Sequence, residues 1–114
     1  MAKTERPNPI RITTAEGETY TLDFDRASVK FAEQRGFNVL EYKNQPETGV
    51  ASFFFYAFHK NHKNVARDKT DAILDELGGL LPKELERLEE LYTASFTSLN
   101  VEGERKNSRA TVEL

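Results

Sequence analysis

The chain is 114 residues long, room for one domain with one modest core, and its 38% hydrophobic and 31% charged residues are the proportions of an ordinary globular protein. It has no cysteine and a net charge of −3, which excludes a disulfide framework, a thiolate metal site and the basic face of a nucleic-acid groove. No apolar run is long enough for a bilayer and the opening MAKTERPNP has no apolar stretch of a leader's type, so the sequence predicts a cytoplasmic protein that engages neither membrane nor nucleic acid.

Residues 1–9 are polar and include Pro7 and Pro9, which predicts a flexible lead-in. Ile10 and Ile12 alternate with polar residues, and the alternation resumes at Tyr20, Leu22 and Phe24 beyond Glu16 and Gly17. This predicts a β-hairpin over residues 10–24 with one apolar face. A lone hairpin is marginal in water, so that face needs helices to pack on.

Asp25 has the position of an N-cap, with Phe24 and Val29 placed to staple the first turn of a helix over residues 25–35. Gly36 suits a left-handed terminator, after which Phe37 folds back towards Ala32. Asn38 and Glu41 have capping-box spacing and predict one more turn through Val39, Leu40 and Tyr42 before KNQPETG interrupts it.

The stretch VASFFFYAFHKNH, Val50 to His62, dominates the chain: five of the twelve Phe and Tyr residues lie between Phe53 and Phe58. Burying each is worth about 1.5–3 kcal/mol, so the segment does not belong in a loop. As a helix it points Phe53, Phe54 and Phe55 in three directions, about 100° apart, and no single stripe buries them all. Pro46, Glu47 and Thr48 make a helix start, and His59, Lys60 and Lys63 place positive charge at the end. The expectation is a helix over residues 47–61, buried nearly all round between the hairpin and later helices. A sharper expectation is that part of it, Phe53 and Phe54 above all, stays exposed and binds an apolar partner or another copy of the chain.

A third helix is predicted over residues 67–78, with Asp68 and Asp71 near its positive end, Ile73, Leu74 and Leu77 apolar, and Gly78 and Gly79 as stops. Pro82 suits the first position of a fourth, over residues 82–97, in which Leu81, Leu85, Leu88, Tyr92 and Phe96 recur opposite Glu84, Glu86, Glu89 and Glu90. From Asp68 to Leu91 eight acidic residues face only Lys69, Lys83 and Arg87. Residues 100–114 have little apolar content and no period, and predict a disordered polar tail. The fold class is therefore α+β and mostly α: one domain over residues 10–99, an N-terminal hairpin packed on about four helices.

No catalytic, cofactor or metal site emerges. His59 and His62 are one turn apart, but two imidazoles without further ligands in a polar link are better explained as solvated. Glu86, Glu89 and Glu90 form a polar helix face rather than an acid and a base held in different environments. Gly78 and Gly79 terminate a helix instead of cradling phosphate, and Ser95 and Ser98 have no nearby His. The chain reads as non-enzymatic, with partner binding assigned to Phe53, Phe54 and Phe58 in the aromatic segment and to Leu85, Leu88 and Tyr92 in the last helix.

The run YTLDFDRASVKFAEQRGF (Tyr20 to Phe37), then FFYAFHKNH (Phe54 to His62), DAILDELGGL (Asp71 to Leu80) and LEELYTASF (Leu88 to Phe96) resembles, in order and spacing, the tail assembly chaperones of long-tailed phages and prophages of Gram-positive bacteria. The likeness spans the hairpin to Leu99. It implies a non-catalytic protein of the host cytoplasm, absent from the mature virion, that binds the tape measure protein and keeps it soluble until tail tube subunits polymerise around it. It further implies self-association, dealings with the tail tube protein and, in that family, a longer form of the same chain made by translational frameshifting. A physically reasonable mechanism is many weak contacts along one long helical client. Two other roles fit the same residues: a head-tail connector or tail completion protein, and a small regulatory module whose acidic helices mask a basic partner.

Overall fold

The computed structural model describes residues 6–96 and 113–114. The first five residues of the expected lead-in and most of the expected polar tail, residues 100–112, lie outside the described residues. What is described is an antiparallel two-stranded hairpin followed by four helices.

Strands β1 (Ile10–Thr13) and β2 (Thr19–Leu22) pair with Ile10 opposite Leu22 and Ile12 opposite Tyr20. Period-2 alternation puts the apolar side chains on one face, and Ile12 and Leu22 are buried there. The turn closes as Thr14 N–H donates to the Glu18 carbonyl and Gly17 N–H to that of Thr14, with Gly17 at φ 88°. Pairing stops at Leu22. Asp23 N–H leaves the sheet and donates to the Ala57 carbonyl at 3.0 Å, and Phe24, expected within the hairpin, enters the core from the connection instead.

Helix α1 (Arg26–Gln34) starts on the expected Asp25 cap. Ser28 N–H donates to Asp25 Oδ1 and Asp25 N–H to Ser28 Oγ, each at 2.8 Å, so Ser28 completes a reciprocal box that normally uses Glu or Gln. At the other end Gly36, at φ 92°, donates to Glu33, and Phe37 N–H reaches back to the Ala32 carbonyl at 3.0 Å. Both bonds of a Schellman closure are thus present. The next turn differs from expectation: Asn38 Oδ1 accepts from Leu40 N–H, not from Glu41, and a single 3-10 turn forms at Tyr42–Asn44.

Helix α2 (Pro46–Phe58) is the centre of the molecule. Phe53, Phe54, Tyr56, Ala57 and Phe58 are all buried, because β2, α1, the 3-10 turn and α3 surround it. It ends three residues before the expected Asn61. His59 N–H turns to the Tyr56 carbonyl and His62 N–H to that of Phe58, and the tightened exit swings Asn61 and His62 onto β2. Gly49 permits the close seat of the 3-10 turn: a Cβ there would lie 1.9 Å from the Tyr42 carbonyl oxygen.

Helix α3 (Arg67–Leu77) ends at Gly78, at φ 77°, as its two glycines predict. Helix α4 (Pro82–Phe96) follows after a short corner. Its start carries the return half of a capping box, Leu81 N–H donating to Glu84 Oε1 at 2.8 Å. Leu88, Leu91 and Tyr92 point into the core shared with α1 and the hairpin.

Candidate partner-binding surface

The aromatic residues assigned to partner binding form the core. Phe53 has no exposed surface and meets Phe24, Phe37, Tyr42 and Tyr92 at centroid distances of 5.6, 5.1, 4.8 and 5.7 Å. Phe54 packs on Phe58 at 5.1 Å, and Phe58 on Tyr20 at 5.3 Å. Phe54, Phe58, Leu88 and Tyr92 are equally sealed, and Leu85 is half-buried against them. This corrects the expectation of exposed phenylalanines. Period-3.6 geometry spreads the rings around α2, and a neighbouring element is present in each direction to cover them.

The two histidines hold structural positions on different partners. His62 Nε2 accepts a hydrogen bond from Thr21 N–H at 3.0 Å, and Asn61 Nδ2 donates to the Thr21 carbonyl at 3.2 Å. His59 stacks on Phe31 at 3.8 Å with the rings 8° from parallel, and the Arg35 guanidinium lies 3.9 Å from the same ring centroid. Burial and the nearby charge of Lys63 hold the His59 imidazole below its usual pKa, against a weaker opposing pull from Asp25. Among the described residues no group of three or more His, Cys, Asp or Glu is placed to hold a metal ion.

The polar groups near the core are committed to the fold. Asp23, whose side chain is 4% exposed, pairs with Arg6 at 2.9 Å and Lys60 at 2.7 Å and also accepts from Phe24 N–H. Burial alone would raise its pKa, but the Arg6, Lys60 and Phe24 hydrogen bonds together hold it below the usual carboxylate value. Tyr42 donates its hydroxyl to Glu89, which Lys43 also approaches at 3.2 Å. Burial and then Glu89 push that phenol far above its ordinary pKa. Glu89 therefore departs from the solvated face assigned to it; the ring carrying its partner comes from a remote turn. Burial, followed by the charge of Glu33, pushes Tyr92 up to about 12. Ser95 Oγ donates to the Leu91 carbonyl at 2.8 Å.

Of the large apolar residues that face solvent among the described residues, two lie at the corner between α3 and α4. Leu77, the last residue of α3, is 46% exposed, and Leu81, just before α4, is 55% exposed. In sequence they bracket Gly78 and Gly79, which end an open groove of about 760 Å³ between α2 and α3 whose apolar wall is Val50, Ala51 and Leu74. Its rim carries Glu47, Arg67, Asp71 and Asp75. Arg67 pairs with Asp71 at 3.1 Å, which leaves Glu47 and Asp75 to make the rim acidic. Leu40, 90% exposed, stands apart on the turn after α1. Beside that turn a cleft of about 390 Å³ between α1 and α2 is lined largely by Arg35, Asn38, Asn44, Gln45 and Thr48. Sequence periodicity placed Leu77 and Leu81 on apolar helix stripes; the glycine corner between the two helices is a signal that the last turn of one and the first of the next lack a covering neighbour.

No curated protein and no solved structure matches the chain. A family model matches it from residue 1 to residue 114, and the chain belongs to that family, a domain of unknown function (DUF5055).

Proposed function

We propose that the chain is a non-catalytic tail assembly chaperone of long-tailed phages and prophages, which binds the tape measure protein and keeps it soluble in the host cytoplasm while the tail is built. The family resemblance of the segments from Tyr20 to Phe96 supports the reading. The observation that carries it is the exposure of Leu77 and Leu81 on either side, in sequence, of Gly78 and Gly79, where the apolar groove of Val50, Ala51 and Leu74 ends. A helical, apolar client lays one stripe of side chains into such a groove. The acidic rim of Glu47 and Asp75 suits a client whose stripe is flanked by Lys or Arg, and keeps loaded complexes apart by charge. The client surface is thus moved from the buried rings of α2 to the leucines of the corner.

Co-expression with the tape measure protein is the test. The expected result is soluble tape measure protein with the native chain, and loss of that solubility with the Leu77→Ser, Leu81→Ser double variant although its circular dichroism is unchanged. A client equally insoluble with and without the native chain refutes the reading. Mass spectrometry of purified virions separates it from a connector or tail completion role: a chaperone is absent from the particle, a connector is present.

A further inference from the structure

The two edges of the hairpin are treated differently. On β2 the outward backbone groups of Thr21 are occupied, its N–H by His62 at 3.0 Å and its carbonyl by Asn61 at 3.2 Å, and just past the strand Asp23 N–H donates to Ala57 at 3.0 Å. In an antiparallel ladder the residue opposite an outward-pointing one also points outward. Arg11 lies opposite Thr21 and Thr13 opposite Thr19, so the N–H and C=O of Arg11 and Thr13 face away from β2 along the other edge. Among the described residues nothing hydrogen-bonds to these groups, and both side chains are exposed. An open strand edge is a template for a further strand.

We propose that this edge pairs with the same edge of a second copy, β1 antiparallel to β1 about a two-fold axis at Ile12. That register is self-complementary. Arg11 exchanges both backbone bonds with Thr13 of the second copy, Thr13 does the same with Arg11 of the second copy, and the two Ile12 residues form the non-hydrogen-bonded pair between them. Each Arg11 side chain then stands opposite a threonine rather than another arginine, which avoids a like-charge pair. Pro9, with no N–H, ends the pairing on the N-terminal side. Two two-stranded sheets merge into one of four strands, whose outer edges are the two β2 edges, each blocked at Thr21 by Asn61 and His62 and just past the strand by Ala57. The product is a closed dimer rather than a fibre. Nothing in this pairing depends on the identity of the client.

Sedimentation equilibrium of the full chain across a concentration series, with amide hydrogen exchange at the same concentrations, tests the pairing. The expected result is a monomer–dimer equilibrium in which the Arg11 and Thr13 amides exchange more slowly as the dimer fills. Thr13→Pro, which removes an outward N–H and leaves the bonds of the hairpin itself intact, is expected to weaken dimerisation at least tenfold while the hairpin amides of Ile12 and Tyr20 keep their protection. A chain that stays monomeric at every concentration overturns the proposal, as does a dimer whose dissociation constant Thr13→Pro leaves unchanged. Protection of Arg11 and Thr13 that appears only when a tape measure segment is added overturns it too, and assigns the edge to an extended client instead.

Discussion

The aromatic segment of α2 and the leucine corner between α3 and α4 are both apolar, yet one is sealed and the other open. Phe53 meets rings from β2's exit, α1's exit, the 3-10 turn and α4, whereas Leu77 and Leu81 sit where one helix has ended and the next has barely begun. The densest apolar run therefore makes the interior, and the sparser apolar residues at an element junction stay in contact with water. A large ring gains most from burial and recruits neighbours from every side. A leucine in a terminal turn has no following turn to bring a neighbour over it.

Four variants break or sharpen that contrast. Phe53→Ala, at the hub of the rings, is expected to cost about 3–5 kcal/mol in chemical denaturation and to leave a marginal fold. Gly49→Ala drives a Cβ towards the Tyr42 carbonyl; overpacking of this kind costs about 3 kcal/mol or somewhat more, and the loss is expected to show in the same denaturation series together with weaker Tyr42–Phe53 packing in near-ultraviolet dichroism. Asp23→Asn removes the charge that Arg6 and Lys60 share and is expected to cost about 1–2 kcal/mol. The double change Leu77→Ser, Leu81→Ser, by contrast, is expected to shift stability by about 1 kcal/mol or less while abolishing client solubilisation. If the corner variant unfolds the protein as Phe53→Ala does, the corner is core and the contrast is wrong.

The pH dependence is smaller and has a definite sign. Asp23 is held below its ordinary value of 3.8 in the fold, so the unfolded chain takes up the proton first. Its contribution is present above that value and lost as pH falls through the depressed folded one. His59 is also depressed, relative to 6.5. The fold favours its neutral ring on Phe31, so stability is full above 6.5 and declines as pH falls through the lower folded value. Thermal melts from pH 8 to pH 5 are expected to show that decline in the native chain and to show less of it in His59→Gln.

Much of the local structure was legible in the residues. Asp25 caps α1, Gly36 and Phe37 close it, Gly78 ends α3, and Pro82 opens α4, each because a local backbone need has one chemical answer. That α2 would bury rings in more than one direction was legible too, since no single stripe accounts for consecutive phenylalanines, although half-buried Phe55 and the groove at Val50 and Ala51 leave one side open. Exposure was not legible: Phe53, Phe54, Phe58, Leu88 and Tyr92, expected to meet a partner, are sealed in the core, because apolar content in the sequence does not tell availability. Glu89 was equally opaque, because Tyr42 lies 47 positions away in the chain.

By itself, then, the sequence determined the element types, most of their ends and the segment that had to be buried, because caps, glycine terminators and side-chain periodicity act within a few residues of one another. Only the tertiary structure decided which apolar residues remained in contact with water, which strand edge was covered by Asn61 and His62, and which carboxylates found buried partners. Those outcomes depend on what the rest of the chain brings alongside, and exposure is a property of neighbours rather than of a residue.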